Sequence, residues 1–160
     1  MRKMLVCLVA CFCALNAQSK GAKIIELYES PTCGCCELWA EYMQKNGYKI
    51  NIHKGWDYLQ VKEDFGIKDE FQSCHTGIIE IGGDKFALEG HLPLRAIEWL
   101  IVNKPKGAIG ISTPGMPQGS PGMEQGTFEE YPVVVLYRDG KSEELGIFKG
   151  DKIVKSDKIK

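Results

Sequence analysis

Residues 23–46 read KIIELYESPTCGCCELWAEYMQKN, and this stretch decides how the chain folds. Its first part, Lys23–Glu29, is apolar and β-branched, which is typical of a buried strand. Ser30 and Pro31 interrupt the strand, and Thr32 is the predicted N-cap of a helix over 37–46. The sequence therefore predicts a strand that passes directly into a helix, with three cysteines at the junction.

The cysteines at this junction are Cys33, Cys35 and Cys36. The start of a helix carries unpaired N–H groups and the positive end of the macrodipole, so it favours thiolate over thiol. Thiolates attack disulfides and bind soft metals. Cys33 and Cys36 have the spacing C-x-x-C, which is typical of a redox pair in which the first residue attacks and the second resolves the mixed disulfide. An inert structural disulfide is the alternative interpretation of this pair.

The periodic segments that follow extend the pattern to β-α-β-α-β-β-α. The predicted strands cover 48–53, 77–81 and 85–89, and the predicted helices cover 56–65 and 94–102. The candidate packing residues of the second helix are Tyr58, Leu59, Val61 and Phe65. This order, with thiols at the start of the first helix, predicts a thioredoxin-like α/β fold. In that fold the loop before the third strand lies against the start of the first helix, so we expect Cys74 and His75 to meet the cysteine cluster.

The composition changes after the third helix. Residues 108–126 are rich in glycine and proline and contain Pro-Gly-Met twice, which predicts a loop that carries Met116 and Met123. Residues 131–137 and 143–148 predict a C-terminal β-hairpin. We expect one domain over 18–150, which includes this hairpin, and a frayed polar tail over 151–160.

Residues 1–17 are predicted to be a signal peptide. A short basic start precedes the uncharged run Leu5–Leu15, and Ala17 is a small residue suited to cleavage. This apolar run is too short to span a bilayer as a stable helix. Leu8-Val9-Ala10-Cys11 offers a second route, in which a lipid is attached to Cys11. Export predicts a periplasmic protein without a membrane span, in a compartment where disulfides form.

The charge pattern excludes several function classes. The net charge is −1, and no run of lysine and arginine indicates binding to nucleic acid or to an anionic membrane. The carboxylates include no isolated pair in an apolar setting, so acid–base hydrolysis has no support.

Cys35 is one thiol more than a redox pair requires. A third thiol at the same helix end concentrates negative charge that a bound cation would neutralise. Sites rich in thiolates select Cu(I), zinc or iron–sulfur clusters. Zinc prefers separated ligand pairs, whereas crowded thiolates that share ions suit Cu(I). Met116 and Met123 would add soft thioether ligands, although both could simply anchor the loop.

The histidines divide into candidate ligands and others. His75 adjoins Cys74, so we consider it a ligand, although local packing would also explain it. His91 follows a turn glycine and is equally well interpreted as a ligand or as an exposed turn residue. His53 lies near the end of a predicted strand and is interpreted as a solvated side chain.

Four motifs occur in a characteristic order: Thr32-Cys33-Gly34-Cys35-Cys36, Ser73-Cys74-His75-Thr76, Gly90-His91-Leu92-Pro93, and residues 114–124. Together they resemble the CopG-like copper-handling proteins, also described as domain of unknown function 411, over about residues 24–137. The resemblance implies an exported thioredoxin-like protein that binds copper and takes part in copper resistance or copper redox handling. It implies a site formed by Cys33, Cys35, Cys36, Cys74 and His75.

Three hypotheses follow. In the first, the reduced cysteines and His75 hold one or more Cu(I) ions, with redox exchange at the same thiols and with other periplasmic copper-handling proteins as partners. In the second, the chain is a thiol–disulfide oxidoreductase that acts on protein disulfides through Cys33 and Cys36, and any metal is incidental. In the third, disulfides staple an interaction domain that has no catalytic role.

Overall fold

The structure is a computed structural model, and it describes residues 23–160. The predicted signal peptide and the predicted lipid attachment point, Cys11, lie outside these residues. Within residues 23–160, the helices are all too short or too polar to cross a membrane.

The strands of residues 23–160 form one eight-stranded sheet, in which the strand order is β2-β1-β3-β4-β5-β6-β7-β8. The strands are β1 Lys23–Glu29, β2 Tyr48–Lys54, β3 His75–Ile81, β4 Asp84–Glu89, β5 Ala108–Ser112, β6 Glu130–Tyr137, β7 Ser142–Lys149 and β8 Lys152–Lys155. The helices are α1 Gly34–Lys45, α2 Tyr58–Phe65 and α3 Leu94–Asn103, with a short 3-10 helix at Asp69–Phe71. The chain is therefore a mixed α/β protein. Apart from the short 3-10 helix, its first seven elements follow the predicted order β-α-β-α-β-β-α.

The register of the central strands determines which loops meet. β1 is parallel to β2 and antiparallel to β3, and Glu29 at the end of β1 lies opposite His75 at the start of β3. The segment that leaves β1 therefore lies beside the segment that enters β3. The first of these segments leads to Cys33, and the second contains Cys74.

The main core lies between the sheet and two helices. Trp39 and Met43 of α1, and Ile97 of α3, are fully buried against the strands. A smaller apolar cluster around Ile67 lies on the opposite face, beside the 3-10 helix. Since side chains alternate between the faces of a strand, consecutive residues of β3 point to α1 and to α2 in turn.

The bounds of α1 differ from the prediction. The helix begins at Gly34 rather than at residue 37, and its N-cap is Cys33 rather than Thr32. The prediction placed the start of the helix after the cysteine cluster, but the residues from Gly34 onward are already helical. As a consequence, Cys35 and Cys36 lie inside the first turn of α1.

Two predictions for the C-terminal part were wrong. The segment predicted as loop over 108–126 begins with β5, which pairs with β4 and β6. Gly110 of β5 lies so close to β4 that a Cβ there would be 2.1 Å from the carbonyl oxygen of Ala87. This glycine permits a close strand contact, whereas the sequence suggested a loop residue. The tail predicted to be frayed contains β8, which pairs with β7.

The predicted packing face of α2 was wrong at Leu59 and omitted Lys62. Leu59 is 47% exposed, while Lys62 is the buried residue of this helix at 1% exposure. Tyr58, Val61 and Phe65 are half-buried. A lysine therefore anchors α2 to the sheet, where the apolar pattern predicted a leucine.

Candidate metal centre

The cysteines of residues 23–160 come from two segments. Cys33, Cys35 and Cys36 belong to the N-cap and first turn of α1, and Cys74 lies directly before β3. Cys36 is fully buried, and the other three cysteines are half-buried. The cluster therefore lies at the edge of the molecule, with one sulfur inside and three within reach of solvent.

The structure brings these four sulfurs together. Their Sγ atoms all lie within 4.8 Å of one another. The Sγ atoms of Cys33 and Cys35 are 3.6 Å apart, and Cys36 Sγ is 4.0 Å from the carbonyl oxygen of Cys74. A metal–thiolate bond of about 2.3 Å, the length typical of zinc, separates two sulfurs on one ion by at most about 4.6 Å. Small shifts would therefore let these sulfurs share ions.

Cys33 and Cys36 form a disulfide, with their Cα atoms 5.4 Å apart. Cys35 and Cys74 are the free cysteines of the described residues. The C-x-x-C pair can thus close into a disulfide without involving the other two thiols. All four sulfurs become available as thiolates only after this bond is reduced.

His75 is fully buried beside the sulfur cluster. Its Nδ1 lies 3.4 Å from Cys74 Sγ, and its ring packs against Trp39 at a centroid distance of 4.7 Å. Its Nε2 is buried without a hydrogen-bond partner among the described residues. Burial lowers the pKa of His75 well below its ordinary value, so this imidazole is neutral at pH 7.

His91 has the geometry of a metal ligand in a defined tautomer. Its Nδ1 lies 2.7 Å from the carbonyl oxygen of Pro121. Because a carbonyl oxygen only accepts, Nδ1 must donate, which leaves the lone pair of a neutral ring on Nε2. Nε2 lies 3.1 Å from Cys74 Sγ. Burial lowers the pKa of His91, and this favours the neutral form that metals bind.

A second donor group therefore adjoins the first. The sulfur of Cys74 and one ring nitrogen each of His75 and His91 lie within 4.8 Å of one another. Cys74 belongs to both groups, so the donors form one continuous site. From the sequence, His91 was equally well interpreted as a ligand or as a turn residue, because nothing in the sequence indicated that Pro121 would orient its ring.

Cys74 is a thiol in the metal-free protein. Burial, followed by the proximity of Cys35, raises the pKa of Cys74 to about 12. The hydroxyl of Ser73 and the ammonium group of Lys62 act in the opposite direction. A metal ion that binds Cys74 must therefore displace a proton.

The second Pro-Gly-Met segment packs directly on the site. Gly122 has φ +83°, and a Cβ there would lie 2.7 Å from the backbone nitrogen of Trp39 and 3.1 Å from the carbonyl oxygen of Cys35. The segment therefore rests against the first turn of α1 while Pro121 holds His91. Met123 is half-buried and Met116 is 48% exposed, and their role as ligands stays a prediction.

His53 lies outside both donor groups. Its Nε2 pairs with Glu26 at 2.6 Å, and its ring stacks on Tyr28 at the exposed surface of the sheet. This position agrees with the prediction that His53 is solvated.

The chain is similar to known proteins in both sequence and structure. A family model described as "protein of unknown function, DUF411" matches residues 71–123, which include Cys74, His75 and His91. No curated protein matches the chain.

Two solved structures resemble the chain over most of its length. Copper resistance protein CopG, form 1, is 35% identical, with a TM-score of 0.72 over 81% of this chain and 100% of that chain. Form 2 of the same protein is also 35% identical, with a TM-score of 0.70 over 80% of this chain and 99% of that chain. The resemblance that the four sequence motifs indicated is thereby confirmed, and the chain belongs to the DUF411 family, the family of CopG-like proteins.

Proposed function

We propose that the chain is an exported, thioredoxin-like protein that binds Cu(I) and contributes to copper resistance. The ligands are the thiolates of Cys33, Cys35, Cys36 and Cys74, and the imidazoles of His75 and His91 complete the set. The observation that carries this proposal is the convergence of four sulfurs from two segments of the chain within 4.8 Å.

The donor set argues for copper over harder metals. Thiolates are soft ligands, and crowded thiolates that bridge ions suit Cu(I), which accepts low coordination numbers. Cys74 faces Cys35 on one side and His91 on the other, so its sulfur can bridge two ions. We therefore propose a site for more than one Cu(I) ion, with Met116 and Met123 at its rim.

The relatives support the same assignment. The two solved structures carry the name of a copper resistance protein and match about four fifths of this chain, at 81% and 80% coverage. Export to the periplasm would follow from the predicted signal peptide, and N-terminal analysis of the secreted protein would distinguish cleavage after Ala17 from lipid attachment at Cys11.

The first experiment is a titration of the fully reduced protein with Cu(I) without oxygen, in competition with a chromogenic chelator. We expect tight binding, and we expect Cys35→Ser and Cys74→Ser to lower the number of copper ions per chain. His91→Ala should lower the affinity, whereas His53→Ala is the matched control because His53 lies outside the donor groups. Binding no tighter than that of a weak chelator would overturn the proposal.

A second function is favoured by the Cys33–Cys36 disulfide at the start of α1. Oxidation of this dithiol to the disulfide releases two electrons and two protons, which suffice to reduce two Cu(II) ions to Cu(I) or to reduce one protein disulfide. Cys33 is half-buried and Cys36 is fully buried, which suits an attacking and a resolving thiol respectively.

The two substrates can be distinguished with Cys35→Ser. A protein-disulfide oxidoreductase would keep its activity in insulin reduction after this change, since the C-x-x-C pair is intact. A copper-linked activity would instead decrease with the copper count. Loss of the Cu(II) electron paramagnetic resonance signal on mixing with the reduced protein, with two thiols consumed per two ions, would support the copper reaction.

A further inference from the structure

An ion pair is buried on the face of the sheet opposite α1. Lys62 of α2 is 1% exposed and Glu89 at the end of β4 is fully buried, and the two side chains are in direct contact. Two charges in a protein interior lose their hydration, and an apolar pair of the same volume is often at least as stable. The position of this pair therefore calls for an explanation other than stability.

The Glu89 carboxylate holds both ends of the Cys74–His75 dipeptide. One of its oxygens accepts a hydrogen bond from the backbone N–H of Ser73, and the other accepts one from the Thr76 hydroxyl, each at 2.6 Å. Ser73 directly precedes Cys74, and Thr76 directly follows His75. Lys62 donates to the first of these oxygens and also to Thr76 Oγ1, the latter at 2.9 Å.

The same glutamate begins the turn that carries His91. Gly90 donates its N–H to the carbonyl oxygen of His75 at 3.0 Å, and the carbonyl oxygen of Glu89 accepts from the N–H of Thr113 at 2.9 Å. Gly90 has φ +77°, and a Cβ there would lie 2.7 Å from the side chain of Ser73. Glu89 therefore lies where the segment that carries Cys74 and the segment that carries His91 are joined.

We propose that Glu89, held in place by Lys62, is a positioning residue that sets the distance between Cys74 Sγ and the two imidazoles. This inference rests on the proposed copper function. Neither Glu89 nor Lys62 touches an ion. The carboxylate acts through Ser73 and Thr76, so that both donor segments enter the site in one fixed arrangement before a metal binds.

Thr76 offers a matched pair of substitutions. Thr76→Val has nearly the same volume but loses the hydroxyl that bonds Glu89 and Lys62, whereas Thr76→Ser keeps the hydroxyl. Loss of a residue that orients metal ligands typically lowers metal affinity by about 10- to 100-fold. We expect Thr76→Val to lose Cu(I) affinity in this range by chelator competition, while Thr76→Ser stays at the wild-type value.

X-ray absorption of the Cu(I)-loaded proteins provides a readout that stability alone would not change. We expect Thr76→Val to alter the ratio of sulfur to nitrogen neighbours of copper, and Thr76→Ser to leave it unchanged. Ser156→Ala is the stability control, because Ser156 forms partly buried hydrogen bonds just after β8, which lies at the opposite edge of the sheet from the strands that carry the donors. The Tm of Ser156→Ala should fall, while the X-ray absorption spectrum of its bound copper should stay unchanged.

The outcomes separate this proposal from the copper function itself. If the wild-type protein does not bind Cu(I), the proposed function fails, and the positioning role fails with it. If the wild type binds Cu(I) and Thr76→Val binds equally well, only the positioning role is overturned. An equal loss of affinity in Ser156→Ala would also overturn it. If Thr76→Val does not fold, Glu89→Gln replaces it in the same comparison, and wild-type affinity in that variant would contradict the proposal.

Discussion

Replacing Gly122 by alanine should loosen the contact between the second Pro-Gly-Met segment and the metal site. The residue has φ +83°, which side chains disfavour, and its Cβ would lie 2.7 Å from the backbone of Trp39. An ordinary van der Waals contact begins at 3.4 Å. Because the obstacle is helix backbone, the segment itself has to move away from α1.

The cost of this substitution has two parts. A left-handed backbone costs an alanine about 1–2 kcal/mol, and overpacking costs typically about 1–3 kcal/mol. The free energy of unfolding should therefore fall by about 2–5 kcal/mol, which corresponds to a fall in Tm of roughly 5–15 °C for a domain of this size. A shift of Pro121 also lengthens or bends its 2.7 Å hydrogen bond with His91. Since this bond orients the ring, Cu(I) affinity should fall by about tenfold or more.

The chain contains its own control for this experiment. Gly115 occupies the same place in the first Pro-Gly-Met segment and has φ +70°, but a Cβ there would meet nothing within 4 Å. Gly115→Ala thus carries the backbone cost of about 1–2 kcal/mol without the overpacking. Thermal unfolding and chelator competition would be measured on both variants. Equal Tm values and equal Cu(I) affinities for Gly115→Ala and Gly122→Ala would refute the reasoning.

Three further predictions concern the buried pair, the surface pair and the disulfide. Lys62→Met should destabilise the protein by about 3–5 kcal/mol in urea unfolding because Glu89 loses its counter-charge, and the double variant with Glu89→Gln should recover most of this loss. His53→Ala should cost less than about 1 kcal/mol after solvent screening. The hydrogen bond from His53 is the main reason that the pKa of Glu26 lies below 4.5, so this stabilisation is present above about pH 4.5 and is lost as the pH falls. Carboxyl titration by NMR should show the pKa of Glu26 rising in the variant, and an unchanged pKa would contradict the pairing. Excess Cu(I) should raise the reduction potential of the C-x-x-C disulfide by about 30 mV for each tenfold preference of the ion for the dithiol form, and a potential independent of Cu(I) would contradict shared use of these sulfurs.

The sequence was most informative where a local pattern determines a local structure. The bounds of β1 were predicted to within one residue, and the helix after it was placed to within one turn. The proximity of Cys74 to Cys33 was also predicted, because a thioredoxin-like arrangement of these elements places the loop before β3 beside the start of α1. These predictions needed only periodicity and topology.

The sequence was least informative about contacts between residues that lie far apart along the chain. Gly110 suggested a loop, because its close contact with β4 becomes visible only when the strands are paired. Lys62 was absent from the predicted packing residues of α2, because its partner Glu89 is 27 residues away. The tautomer of His91 depends on a carbonyl group 30 residues further along the chain, which no local pattern encodes.

Protons, a disulfide and a soft cation are three alternative ways to neutralise the same group of sulfurs. Cys33 and Cys36 are neutral as the disulfide, and Cys74 is neutral as a thiol because burial and Cys35 raise its pKa to about 12. Four thiolates within 4.8 Å would repel one another unless a cation lay among them. A Cu(I) ion that enters the reduced site must therefore replace protons, and closure of the disulfide would remove two sulfurs from the ion. Because linkage is reciprocal, an ion that favours the dithiol must bind less tightly once the disulfide has formed. On the proposed function, the oxidation state of Cys33 and Cys36 would then determine whether copper is held or released.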